Sequence, residues 1–156
     1  MGDYAVIVEP YSKMYAEPIL KFGFTKDIII IDEQRKKISE KDDSILYEGD
    51  NSKVRNVLYI FKDKKLSSIA VLLQNTSEVA TESTTYLKER YSYLGPSNNV
   101  YYFEDKDRVS LGVTVDPTLG LTVLYLPYNP NKRLSSEVEG IDEIMASLRA
   151  EVIKKK

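Results

Sequence analysis

Cysteine, histidine and tryptophan are all missing from this chain. Without thiolates or imidazoles, the usual zinc, copper and non-haem iron sites have no ligands to draw on. Nucleophilic triads that recruit histidine as the base are excluded on the same ground, and so are disulfides. Chemistry is left to carboxylates, lysine, tyrosine and serine. Long apolar runs are also lacking, and nothing approaches the ~20 residues that a membrane-spanning helix needs. Basic clusters are scarce: the formal net charge is −2, and only Lys154–Lys156 gathers positive charge, which argues against general affinity for nucleic acid.

What is present is ordinary for a folded domain, with 42% hydrophobic and 29% charged residues. A chain of 156 residues makes one domain, and a domain of this size buries about 68–70% of the surface its unfolded chain exposes. The start Met1-Gly2-Asp3 has no basic segment followed by an apolar one, as a signal peptide would. The short N-terminus and tyrosine-rich runs read as an exported chain whose leader has been removed, with Met1-Gly2 added in its place; a natural start at Met1 would instead place the protein in the cytoplasm.

The stretch Val57–Tyr128 organises the chain. Val57–Ser67 and Val100–Ser110 each carry an aromatic-rich apolar run, a charged Asp-Lys corner and a second run, so both are expected to be β-hairpins. Between them, Thr84, Leu87, Tyr91 and Leu94 fall on one face of a helix expected over Thr81–Leu94, stopped by Gly95-Pro96. Val109, Leu111, Val113 and Val115 alternate with polar residues, which predicts a sheet with one wet side. Asp116–Gly120 is a turn that returns Leu121–Pro127 antiparallel. Upstream, Ser44–Glu48 reads as a strand and Gly49–Ser52 as a turn. Ser12–Gly23 suggests a turn or two of helix, and Thr25 caps a second helix to about Lys37. The four β-branched residues Ile28–Ile31 would equally suit a strand; the pairs Asp32/Lys36 and Glu33/Lys37 favour helix. Tyr4–Val8 is a short apolar run closed by Pro10.

Past a linker at 129–135, Ser136 and Glu139 stand at capping-box spacing. Val138, Ile141, Met145, Leu148 and Val152 then form one apolar stripe. The stripe is expected to dock on the apolar face of the strands at Val109–Val115, or on the matching helix of a homodimer. The expected fold is α+β: a domain over 1–128 built of tandem helix-plus-antiparallel-strand units, with an α-β-β-β repeat in halves 12–74 and 78–128. Its helices lie on one face of the sheet, and the C-terminal amphipathic helix at 136–156 is added to it.

Glu17-Pro18, Phe22-Gly23-Phe24-Thr25 and Tyr59–Ser68 together resemble uncharacterised exported proteins and lipoproteins of gut Bacteroidetes. More remotely they are similar to the SmpA-like domain of outer-membrane assembly lipoproteins. The likeness spans roughly Tyr15–Tyr128 and departs from the pattern at Asp63-Lys64-Lys65, where a glycine is usual. It implies a helix pair followed by antiparallel strands, and a cell-envelope role without catalysis or cofactor.

Two groups of residues are candidates for a site. Tyr91, Tyr93, Tyr101, Tyr102, Tyr125 and Tyr128 surround the second hairpin, and such aromatic surfaces bind carbohydrates or proteins; strand propensity alone also places tyrosines there. Glu104, Asp105, Asp107 and Asp116 offer hard oxygens of the kind that hold Ca²⁺, but without EF-hand spacing they read as solvated turns, and no metal is expected. The leading expectation is a non-catalytic envelope interaction module. Its alternatives are a binder of small ligands or carbohydrate in a Tyr-rich pocket between helices and sheet, and, more remotely, a hydrolase with an acid pair.

Overall fold

A computed structural model describes residues 14–97 and 99–128. Its frame is a single antiparallel sheet of eight strands: β1 (Lys37–Lys41), β2 (Ser44–Glu48), β3 (Val54–Lys62), β4 (Lys65–Leu73), β5 (Ser92–Ser97), β6 (Val100–Asp105), β7 (Val109–Asp116) and β8 (Gly120–Pro127). Their order is β1-β2-β3-β4-β8-β7-β6-β5, so two four-stranded meanders meet where β4 pairs with β8. Among the described residues two helices accompany it, α1 (Lys26–Asp32) and α2 (Ser77–Arg90). This is a predominantly β fold, and it corrects the expected α+β architecture of tandem helix-plus-strand units. The first helix expected over Ser12–Gly23 is also not formed in its described part, where residues 14–23 hold a bend, a turn at Phe22-Gly23 and irregular chain.

The turns follow local chemistry. In the β3/β4 hairpin Asp63 and Lys64 both take left-handed backbone, φ 54° and 67°, which makes the two-residue reversal whose twist matches the strands. Between β6 and β7, Asp107 is left-handed and the Arg108 amide closes on the Asp105 carbonyl at 3.0 Å. Between β7 and β8 one carboxylate oxygen of Asp116 accepts from the amides of Thr118 and Leu119, at 2.8 and 2.9 Å. Thr76 caps α2 by accepting from the Val79 amide at 3.1 Å. Gly49 follows β2, where its amide bonds to the Arg55 carbonyl; a Cβ there would overlap the Val54 carbonyl oxygen.

Three local expectations fail. Helix α2 runs Ser77–Arg90 and buries Val79, Ser83, Tyr86 and Leu87. Leu94, Gly95 and Pro96 belong to β5, where Gly95, at φ 115°, sits at a bulge in an edge strand and not at a helix stop. Helix α1 ends at Asp32, since the following residues turn to pair Lys37 with Tyr47. The expected helical pairs are replaced: Asp32 binds Lys21, Glu33 binds Arg35 and Lys37 binds Glu40.

The expected wet side of the sheet is dry across its centre. One cross-strand row reads Ile45, Tyr59, Ile69, Tyr125, Leu111 and Phe103, and α1 and α2 send Ile29, Val79, Tyr86 and Leu87 into the same core. The opposite face carries the row Leu46, Leu58, Ala70, Leu124, Gly112 and Tyr102, and it is buried too. Val109, Leu111 and Val113, the expected landing site of the C-terminal helix, share the first core with α2, while Val115 is exposed. The C-terminal stripe itself, the linker and the Tyr4–Val8 run lie outside the described residues. Among the described residues no helix is long and apolar enough to cross a membrane.

Candidate binding groove

The tyrosines around the second hairpin separate into different environments. Tyr91 and Tyr125 are buried in the core beneath the helices, Tyr102 is buried on the opposite face, and Tyr128 is half-buried at the end of the described chain. Only Tyr93 and Tyr101 of the six candidates stand exposed, at 42% and 52%. Both lie on the helix-bearing face, since Tyr93 pairs with Phe103 and Tyr101 with Val113.

The buried tyrosines hold an extended strap, residues 14–20, against the sheet. Tyr86 donates to the Tyr15 carbonyl at 2.6 Å, Tyr15 and Tyr125 join hydroxyl to hydroxyl at 2.6 Å, and Tyr91 donates to Glu17. The Ile19 amide donates to the Tyr59 hydroxyl at 3.0 Å, and Tyr59 in turn donates to Glu33. Ala16 is clasped at both backbone groups, its amide by Asp50 at 2.8 Å and its carbonyl by Arg35. Burial raises the pKa of the Tyr15, Tyr59, Tyr91 and Tyr125 hydroxyls, which keeps them neutral donors. These hydroxyls are structural: those of Tyr86 and Tyr59 meet backbone groups of the strap that pair with no strand, and those of Tyr15, Tyr125 and Tyr91 tie side chains across the same seam.

No such strap covers β5–β7 among the described residues. Instead α2 and the sheet frame an open groove of about 500 Å³. Its floor and far wall are Tyr93, Tyr101, Phe103 and Val113; its near wall is the outer side of α2, with Thr81, Thr84, Thr85 and Lys88. The Lys88 ammonium sits 5.0 Å from the centre of the Tyr93 ring, whose other neighbour is Phe103 at 5.1 Å. Tyr93 thus stands between a cation and a ring, both of which favour this position of its side chain. The helical wall was hidden in the sequence reading, which put Thr84 on the buried face. A signal existed in Thr81, Thr84, Thr85 and Lys88, which recur at helical spacing opposite Val79, Ser83 and Tyr86.

The acidic corner does other work. Asp105 pairs with Arg108 at 2.7 Å, Asp116 holds its own turn, and Glu104 is buried. Arg108 also reaches back to Glu17 at 3.0 Å, so one cation ties the hairpin corner to the strap. Comparisons of the chain with protein-family models, with curated proteins and with solved structures return no match.

Proposed function

We propose that this chain is a non-catalytic binding module of a bacterial cell envelope, with the groove between α2 and β5–β7 as its contact surface. The observation that carries the reading is the contrast among tyrosines on one face. Tyr15, Tyr47, Tyr59, Tyr86, Tyr91 and Tyr125 are buried, whereas Tyr93 and Tyr101 present their rings to solvent beside a row of threonine hydroxyls and Lys88. Aromatic anchors flanked by adaptable polar groups suit recognition of a peptide or protein surface. The envelope assignment rests on the sequence resemblance, and reading the gene ahead of Tyr4 for a signal that ends in a lipidated cysteine tests it.

A second reading, a carbohydrate binder, draws on the same groove, because ring faces beside hydroxyl donors also suit a sugar. The two separate by experiment. Random peptides on phage and an oligosaccharide array are each screened against the wild-type chain, followed by Tyr93→Ala and Tyr101→Ala. A protein-recognition role predicts peptide binders weakened at least about tenfold by Tyr101→Ala, the loss of one well-packed aromatic anchor. Sugar binding with the same dependence would transfer the groove to the second reading. Binding that ignores both substitutions would remove the groove from the function altogether.

A further inference from the structure

The face of the sheet opposite the helices is buried although none of the described helices reaches it. Leu58, Ala70, Leu72 and Leu124 are 0% exposed and Tyr102 4%. The apolar cluster to which they belong contains strand residues and Leu119 of the β7/β8 turn, whereas Ile29, Val79, Tyr86 and Leu87 of the helices all belong to the other core. An antiparallel sheet covered on one face leaves alternate side chains wet on the other. Complete burial of Leu58 and Leu72 therefore needs a cover.

We propose that the cover is the chain's own C-terminal segment, with Val138, Ile141, Met145, Leu148 and Val152 laid across this face. Three observations select it. Met14 and Tyr15 belong to the helix-side core, so the described chain opens on the other face. Leu124 of β8, a central strand of the sheet, belongs to the cluster, and the described chain ends just past that strand at Tyr128. The lengths also agree. The row from Leu46 on β2 to Tyr102 on β6 crosses five inter-strand spacings, about 24 Å at ~4.8 Å each. A helical stripe from Val138 to Val152 is about 21 Å long at ~1.5 Å per residue. Gly112 between Leu124 and Tyr102, and Ala70 on the other side of Leu124, keep the sheet surface low where a helix would cross it.

The absence of native cysteine makes the test direct. Ala70→Cys, on the covered face, is combined in the full chain with Ile141→Cys, Met145→Cys or Leu148→Cys and oxidised with copper phenanthroline, so that thiols already in contact close a disulfide cross-link without an added spacer. The proposal expects a cross-link within one chain for at least one pair, and none when Val71→Cys of the opposite face replaces Ala70→Cys. Cross-links only between chains would assign the cover to a second copy and overturn it, and so would no cross-link at all. As an independent readout, Leu148→Asp should speed thiol labelling of Ala70→Cys at least about tenfold by opening that contact, leaving Val71→Cys slow. An Ala70→Cys thiol that labels at the same rate with and without Leu148→Asp overturns the proposal as well.

Discussion

At the scale of single residues, the hydroxyl pair Tyr15–Tyr125 shows how this protein handles polar groups in a core. Each phenol brings a large apolar ring and one group that must find a partner once water is excluded. At 2.6 Å they satisfy each other. Tyr125→Phe strands the Tyr15 hydroxyl and should cost about 1–2 kcal/mol, read as a lower urea midpoint with an unchanged slope. Tyr15→Phe should cost a similar amount. The double variant removes both polar groups together and should lose clearly less than the sum of the two single losses. Additive losses would mean that the hydroxyls do not depend on each other. Nothing in the sequence around Tyr125 marks it as different from Tyr101: both sit in alternating, aromatic-rich runs, and the outcome depends on whether a helix and strap lie over that part of the sheet.

Among the elements, the hairpins are the most self-sufficient. The β3/β4 reversal uses Asp63-Lys64, both left-handed, where the preferred pair is Asn-Gly. A side chain in that conformation is penalised by roughly 1–2 kcal/mol, partly offset by the extra freedom glycine brings to the unfolded chain. The double change Asp63→Asn, Lys64→Gly should therefore stabilise the fold by about 0.5–1 kcal/mol, seen as a higher urea midpoint. Both hairpins were legible because their turn chemistry is local. The edge strands were not. β1 reads Lys-Ile-Ser-Glu-Lys and carries a register irregularity, and β5 contains Gly95-Pro96 and a bulge. Charge, proline and bulges are what a sheet edge uses to avoid further pairing, and the same features erase the alternation by which strands are recognised.

For the whole molecule, the buried phenols make folding sensitive to alkali. Burial pushes Tyr47 and Tyr86 up to about 12, Tyr47 further raised by Glu33 and Glu40 and Tyr86 held back by Arg90. Tyr15, Tyr59, Tyr91 and Tyr125 are raised as well. The unfolded chain releases these protons near pH 10 while the folded one retains them, so above that pH the unfolded state binds fewer protons and stability falls as pH rises. The contribution is full below about pH 10 and is lost between there and the folded values, at up to about 1.4 kcal/mol per pH unit for each tyrosine. Tyrosinate absorbance and far-ultraviolet dichroism should change together in one cooperative step. Independent titration at pH 10 with the fold intact would show that these hydroxyls are not held in the core.

The sequence by itself determined the hairpins, the Asp116 turn, the presence of a helix between the two hairpins and the lack of thiol and imidazole chemistry. Each depends on residues within one turn or one helix of one another. Only the tertiary structure decided that the sheet is the fold and the helices its accessories, because the pairing of β4 with β8 joins Ile69 to Tyr125 with no local signal. Burial on both faces turned β3 and β4 into continuous apolar runs, so alternation could not say which side each residue takes. It also divided the tyrosines. Where the strap and α2 cover the sheet, a hydroxyl becomes part of the frame; where α2 only walls one side of the groove, Tyr93 and Tyr101 remain open to a ligand.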